Sequence, residues 1–364
     1  MSESYTLYGW ECSPYTCKVR SFLRYKQIPF QDIHPSFWTM RQVVEKRIGF
    51  FVMPVVLTAN NELVQDSSDI IDHIEHQHTQ HSIIPTGWTQ QLAALLLELH
   101  ADEWIPMLHL HTRWNNPVNK SFIISDFAQN AFPYLPKFIA QRLIKPKAKQ
   151  MQSYLPILGI TPSMIPALEA WGNEMLDALE IHFTEYDYLL GGKPCIGDFA
   201  FYGPLYAHLW RDPGSRSMIS SRPHIESWLQ RMKNPPQDYT GSFVPDDQIP
   251  TTLDPIFKRI FQDQFPVLQH TVEVVQAWIK KNPKATKLPR KIGKVKFSLG
   301  DTQGERTLTT FPHWMLQRSL FLYQQLDVSQ RILPDQFLTR VGGLDAMSLV
   351  IAHPLTRRNY RVVP

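Results

Sequence analysis

A cysteine, a serine and a proline lie together in Cys12-Ser13-Pro14, directly after the short β-type run Tyr5–Gly9. Ser followed by Pro is typical of a helix start, with Ser at the N-cap and Pro at the first helical position. The free N–H groups and the positive dipole end of such a helix stabilise a thiolate, whether it belongs to the protein or to a ligand. The run therefore predicts a site for ionised sulfur or, equally, an ordinary capped helix.

Two later segments can each be interpreted either as part of a binding site or as a purely structural feature. Val52-Met53-Pro54-Val55 is a strand that contains a proline, which favours a sheet edge or a cis peptide bond. A cis bond would expose the main chain of Met53 for pairing with an extended peptide. In Gln65-Asp66-Ser67-Ser68, Asp66 or Ser67 caps the next helix. The same helix start can bind a carboxylate, while Asp66 can accept from an ammonium group.

The elements that must position these segments follow from the hydrophobic pattern. Val19, Phe22 and Leu23 recur at helical spacing after Pro14, and the short apolar runs between turn residues indicate strands. The predicted order is βαβ, α, ββα, and the type of the middle helix is left open. The later predicted elements are a strand over 28–33, a helix over 37–47, strands over 52–57 and 62–64, and a helix over 67–78.

The three segments, in this order and at this spacing, resemble the glutathione transferase superfamily. Ser-Pro-Tyr-x-x-Lys-Val-Arg, Met-Pro-Val-Val and Gln-Asp-Ser-Ser-x-Ile-Ile are similar to its thioredoxin-like domain. The resemblance implies that Ser13 or Cys12 meets the glutathione sulfur. It also implies that Met53 with Pro54 pairs with the cysteinyl backbone of glutathione, and that an acidic–Ser pair holds the γ-glutamyl end. The residues expected to contact glutathione are Met53, Pro54, Gln65, Asp66, Ser67 and Trp38.

Ser13 is the favoured sulfur partner, as a hydrogen-bond donor to the glutathione thiolate. Aligned with the Cys-Pro-Tyr-Cys of glutaredoxins, the chain has Ser13 and Thr16 at the two cysteine positions, which disfavours dithiol exchange. Cys12 remains an alternative that would form a mixed disulfide with glutathione, and Tyr15 is the third candidate. Cys17 is interpreted as a core residue.

A helical region follows a linker rich in His and Pro. The run Gly191–Ala200 resembles the segment of the family's helical domain in which a Ser or Thr and an Asp cap a buried helix. Cys195 replaces the usual hydroxyl, so that half of the capping box is in doubt, whereas Asp198 can still act. Trp104, His111 and Trp114 are candidates for the acceptor pocket, although packing in the helical core is as good an interpretation.

The fold class predicted from these patterns is α+β/α, with three parts. Residues 1–81 form a thioredoxin-like glutathione-binding domain, residues 88–238 an all-helical bundle domain, and residues 240–364 a mixed α/β C-terminal extension. The extension is expected to contain a helix, a β-hairpin with its turn over 300–304, and a further helix. It matches no familiar module.

Composition narrows the remaining possibilities. The chain has 364 residues and a net charge of +4 from 37 basic and 33 acidic residues, which is too balanced to indicate nucleic acid or an anionic membrane. Three cysteines do not make a disulfide framework and fit a reducing compartment. No secretory signal or transmembrane run is seen, so a cytoplasmic location is expected. No metal-binding or nucleotide-binding motif occurs, so neither cofactor is expected.

The expected function is to bind glutathione and conjugate its thiolate to a small hydrophobic electrophile. Two alternatives stay open: a glutathione-dependent thiol reductase that uses Cys12, and a non-catalytic scaffold of the same fold. The resemblance also implies a homodimer that pairs through the helix starting near Gln90. The extension could modify or block that interface.

Overall fold

The computed structural model describes residues 5–236, 238 and 240–364. Four strands come first in the chain: β1 (Tyr5–Tyr8), β2 (Phe30–Ile33), β3 (Val55–Leu57) and β4 (Leu63–Gln65). They form one sheet in the order β2-β1-β3-β4. β1 and β2 are parallel, whereas β3 is antiparallel to both β1 and β4. This arrangement is the predicted thioredoxin-like sheet.

The helices of this part are α1 (Pro14–Tyr25), α2 (Phe37–Thr39), α3 (Lys46–Ile48) and α4 (Ser67–Gln77). A π-helical segment, Met40–Glu45, joins α2 to α3, so the predicted helix over 37–47 exists but is wound loosely in its middle. A π turn carries its hydrogen bonds one residue further than an α turn and is marked by no residue type, which is why periodicity did not reveal it. The order βαβ, α, ββα is confirmed.

Within the described residues, nine helices follow before residue 240, and a π-helical segment, Leu205–Trp210, continues the eleventh helix of the chain. Prolines mark several starts, because a missing N–H is harmless in the first turn: Pro117 begins the seventh helix and Pro166 lies in the first turn of the tenth. The helices are α5 (Trp88–Glu103), α6 (Pro106–Asn115), α7 (Pro117–Ala131), α8 (Lys137–Gln152), α9 (Tyr154–Ile157), α10 (Ile165–Glu185), α11 (Ile196–Pro204), α12 (Ser217–Ser220) and α13 (Pro223–Lys233).

The C-terminal part mixes helices with two hairpins. Its predicted hairpin turn over 300–304 is shorter in the structure, because Gly300 (φ 58°) supplies the left-handed conformation and pairing resumes at Thr302. The final hairpin was not predicted, since its strands have only three residues each. The elements are α14 (Asp254–Arg259), α15 (Phe265–Lys281), β5 (Lys291–Leu299), β6 (Thr302–Thr309), α16 (Phe311–Gln324), α17 (Ile332–Val341), β7 (Thr356–Arg358) and β8 (Arg361–Val363).

The chain divides into two compact units that interleave along the sequence. Unit 1 comprises residues 5–83, 109–154 and 198–236, and unit 2 comprises Ile84–Leu108, Leu155–Gly197 and Thr240–Pro364. The predicted boundaries 1–81, 88–238 and 240–364 stay a prediction. Among the helices that the structure describes, none is long and apolar enough to cross a membrane.

Candidate functional site

Ser13 caps the first helix of unit 1. Its Oγ accepts a hydrogen bond from the Thr16 N–H at 3.3 Å, with Pro14 in the first helical turn, which confirms the predicted helix start. The Ser13 side chain is half-buried, and its hydroxyl proton has no acceptor among the residues that the structure describes. The hydroxyl is therefore able to donate to a ligand at the positive end of the helix.

Cys12 lies beside Ser13 in a different environment. The residue is only 3% exposed. Burial, reinforced by the charge of Asp126, raises the pKa of the Cys12 thiol well above its usual range, because the thiolate would lose its hydration. Cys17 is buried as well: its Sγ–H donates to the Glu11 carbonyl at 3.1 Å, and burial raises its pKa to about 12. Both sulfurs are thus neutral thiols.

Arg113 holds the main chain of this turn. Its Nη1 donates to the Cys12 carbonyl at 2.7 Å, and Nη2 donates to the Ala207 carbonyl at 2.6 Å. Nε and Nη2 also form a two-pronged pair with Asp212, at 2.7 and 2.9 Å, and both side chains are buried. Sequence reasoning missed this contact, because Arg113 and Cys12 are 101 positions apart and no local pattern joins them.

Gly203, in α11, allows a close approach to the same turn. A Cβ at Gly203 would lie 2.5 Å from the carbonyl oxygen of Pro14, which is a backbone atom that cannot swing away. Only glycine therefore lets this helix pack against the start of α1. The signal was present in the sequence, since glycine inside an aromatic-rich helix usually has a packing reason. Asp198, in the first turn of α11, accepts from Trp228 Nε1 at 3.1 Å.

The peptide bond between Met53 and Pro54 is cis, one of the two geometries expected from the sequence. Val55, the next residue, begins β3 and pairs with Tyr8 and Gln65. Met53 lies just outside the sheet, and within the described residues its main chain makes no hydrogen bond. A free N–H and C=O beside a sheet can pair with an extended peptide as another strand would.

Asp66 caps α4, as predicted, through a hydrogen bond from the Ser68 N–H to its carboxylate at 3.0 Å. Its backbone is at φ 87° and ψ 137°, a region that residues other than glycine rarely adopt and that tends to occur at functional sites. Ser68 Oγ accepts from the buried Lys18 ammonium at 3.3 Å. Ser67 is 4% exposed, and its hydroxyl makes no hydrogen bond to another described residue.

Trp38 and Tyr15 lie on helices of unit 1. Trp38, in α2, is 68% exposed, whereas Tyr15 is half-buried in the first turn of α1. Gln65 is nearly buried at the end of β4. Their roles stay predictions. In the described part of the chain, no group of three or more His, Cys, Asp or Glu residues could hold a metal ion.

The three predicted acceptor-pocket residues are all buried. Trp104 belongs to unit 2, where its ring packs edge-on against Phe297 with centroids 5.9 Å apart. His111 and Trp114 belong to unit 1, where the His111 ring bonds to Asn115 at 2.9 Å. Their burial agrees with packing in the core, which is one of the two interpretations given from the sequence. A role for these residues in an acceptor pocket stays a prediction.

The comparison with protein families agrees with this geometry. Residues 7–82 match the N-terminal domain of glutathione S-transferases, and residues 163–236 match the C-terminal domain of the same family. These two segments belong to the glutathione transferase superfamily. The sequence resemblance on which the fold prediction depended is thereby confirmed.

No curated protein matches the sequence significantly. Among solved structures, the chain is similar to several proteins at low sequence identity. The beta-etherase LigF from Sphingobium is 15% identical over 65% of this chain and 96% of its own, with a TM-score of 0.46. A glutathione S-transferase from Rhodospirillum rubrum is 14% identical over 69% and 98%, with a TM-score of 0.44. Another, from Methylobacterium radiotolerans in complex with glutathione sulfonate, is 18% identical over 64% and 92%, with a TM-score of 0.40.

Proposed function

We propose that unit 1 binds reduced glutathione and adds its sulfur to a small hydrophobic electrophile. The observation that carries the proposal is the Ser13 hydroxyl, which caps α1 and keeps its proton free to donate. A thiolate at this position would accept that hydrogen bond and face the positive end of the helix. The thiol proton would pass to solvent. The sulfur lone pair would then form the new carbon–sulfur bond, either as a leaving group departs with its electron pair or as a double bond opens and its other end takes a proton from solvent.

The rest of the tripeptide has partners on two neighbouring segments. The free main chain of Met53 would pair with the cysteinyl backbone, as one strand pairs with another. The γ-glutamyl carboxylate would bind the N-terminus of α4, where the Ser67 hydroxyl is available, and Asp66 would accept from its ammonium group. These contacts would fix the sulfur beside Ser13, which lowers the entropic part of the barrier.

The reductase alternative is less well supported by the same geometry. A reductase would need Cys12 as a thiolate, because the thiolate and not the thiol attacks a disulfide. Cys12 is 3% exposed, and its burial beside Asp126 raises the pKa of its thiol. Ser13, half-buried and with a free donor, does not need to ionise.

The decisive measurement is the pKa of the glutathione thiol bound to the full chain, followed through thiolate absorbance as pH is changed. Ser13→Ala should remove one hydrogen bond to a charged sulfur, worth about 1.5–3 kcal/mol. The bound thiol pKa should therefore rise by about 1–2 units, and kcat/KM should fall roughly 10- to 100-fold. Cys12→Ser keeps a donor toward Asp126, so it should change neither the pKa of the bound thiol nor kcat/KM.

Three other results would point elsewhere. Loss of activity toward mixed disulfides in Cys12→Ser alone would support the reductase. Failure of the wild-type chain to bind glutathione would support the scaffold. An unchanged thiol pKa in Ser13→Ala would remove Ser13 from the site. Asn116→Ala is the matched control, because Asn116 caps α7 of the same unit through bonds from Val118 and Asn119. It should lose similar stability and keep the thiol pKa.

A homodimer through the helix near Gln90, implied by the resemblance, stays a prediction. That helix is α5, and 12 of its 16 residues are buried within the single chain. The Gln90 amide donates to the carbonyls of Val244 and Gln248, at 2.7 and 2.9 Å, which lie in the C-terminal part. We therefore propose that any dimer uses another surface, which cross-linking with residue-level readout would identify.

A further inference from the structure

A small cleft lies within unit 2, between the end of α5, helix α15, strand β6 and the start of α16. Its cavity volume is about 20 Å³, and it is open to solvent on one side. The residues that matter for its chemistry are Glu103, Trp104, Val267, Leu268, Arg306 and Leu308. None of them is among the residues expected to contact glutathione, although Trp104 is also a predicted acceptor-pocket residue.

Arg306 is a buried cation, and the negative charge of Glu103 in the same cleft acts on it without forming an ion pair. The residue is 6% exposed, and in the described part of the chain its guanidinium makes no ion pair. Among the described residues, its hydrogen-bond contact is from Nη1 to the sulfur of Met107 at 3.8 Å, which is weak. The guanidinium also lies over the rings of Trp104 and Phe297, with Cζ 4.9 and 6.0 Å from their centroids. Burial lowers the pKa of Arg306 to about 10, so it stays charged at neutral pH.

Trp104 adds a second unpartnered donor to the same wall. It is 1% exposed, and its Nε1–H has no hydrogen-bond partner among the residues that the structure describes. Arginine and tryptophan side chains donate hydrogen bonds and do not accept them. Because nearly all buried polar groups in proteins are paired, two neighbouring donors without oxygen acceptors call for an explanation. A ligand with an acceptor oxygen would pair with both donors, and a negatively charged one would pair best with the guanidinium.

We propose that this cleft binds a small carboxylate, with the Arg306 guanidinium and the Trp104 Nε1–H as its donors. A planar carboxylate matches the fork of a guanidinium better than a spherical anion does. Val267, Leu268 and Leu308 would contact the carbon part of the ligand. Glu103 also lines the cleft, and its charge would limit affinity and exclude polyanions. This site is independent of the glutathione proposal.

The test is titration of the full-length chain with formate, acetate and propionate at constant ionic strength, with the heat of binding measured by calorimetry. Chloride and phosphate are the comparison anions. Arg306→Met keeps much of the side-chain volume and removes the charge, and it should weaken carboxylate binding at least tenfold. Lys296→Met is the matched control, because Lys296 is an exposed cation on the same hairpin, and it should bind as the wild type does. Glu103→Gln should tighten binding.

Stability without ligand separates this role from a structural one. A guanidinium buried without a partner costs free energy, so Arg306→Met should melt at the same temperature as the wild type or higher. Trp104→Phe keeps an aromatic ring of smaller volume and loses the N–H, and it should also weaken binding, so it serves as the test if Arg306→Met fails to fold. The proposal is overturned if no carboxylate binds, if chloride or phosphate binds as well as carboxylates do, or if binding survives in whichever of the two variants folds.

Discussion

Replacing Arg113 with methionine should destabilise unit 1 by about 3–5 kcal/mol, the usual cost of leaving one member of a buried ion pair alone. Asp212 is 0% exposed and would lose both of its bonds to the guanidinium. The carbonyls of Cys12 and Ala207 would lose a donor as well. Burial already raises the pKa of Asp212 against the opposing charge of Arg113, so removing that charge should leave Asp212 protonated at higher pH than in the wild type.

A double-mutant cycle measures the coupling free energy between Arg113 and Asp212. Asp212→Leu combined with Arg113→Met removes both charges, so its cost should be well below the sum of the single changes, with a coupling of about 2–3 kcal/mol. Part of the loss should persist, because the two carbonyls still lack a donor, at about 1–3 kcal/mol for an unpaired buried group. Urea unfolding at neutral pH, followed by circular dichroism, gives each free energy.

The control cycle uses Lys294 and Glu305, which also form an ion pair but have side chains 66% and 53% exposed. Its coupling should lie near 0–1 kcal/mol. If Arg113→Met costs less than about 1 kcal/mol, or if its coupling to Asp212 is no larger than that of the exposed pair, then the buried pair of Arg113 and Asp212 does not stabilise unit 1 as argued here.

Two further predictions test the packing and the electrostatics of the fold. Gly203→Ala should lower both stability and glutathione turnover, because its Cβ would push against the Pro14 carbonyl beside Ser13. Gly49→Ala is the control, because its Cβ meets open space and tests only backbone strain. An equal loss of turnover in the two variants would contradict a role for the contact between Gly203 and Pro14. Burial raises the pKa of Asp263 to about 6, against the opposing charge of Arg259. A folded-state pKa above the unfolded value means that stability falls as pH rises from about 4 to about 6. Above about pH 6, the free energy of unfolding of Asp263→Asn should therefore exceed that of the wild type by up to about 3 kcal/mol. Below about pH 4 the two proteins should have the same free energy of unfolding, and urea unfolding across pH measures both. A difference independent of pH would refute the assignment.

The thioredoxin-like part could be predicted from the sequence because its signals are local. The caps at Ser13 and Asp66 lie within three residues of the N–H groups they bind, so the local sequence alone indicates them. The contacts of Arg113 with Cys12 and of Gly203 with Pro14 could not be predicted in this way. They join segments far apart in the chain, and their partners are main-chain atoms, which carry no residue-specific signal.

The role of the C-terminal part could not be predicted from its own sequence, because this part provides partners for polar side chains of α5. That helix is buried on nearly all sides, yet it carries polar residues that would each need a partner away from water. Glu98 pairs with Arg318 at 2.5 Å, and the His100 ring bonds to Gln264 at 2.7 Å. Burial lowers the pKa of His100 to about 4, so the ring that shares this hydrogen bond is neutral at pH 7. Arg318 and Gln264 both lie after residue 240, so the extension contributes to the polar contacts in the core of unit 2.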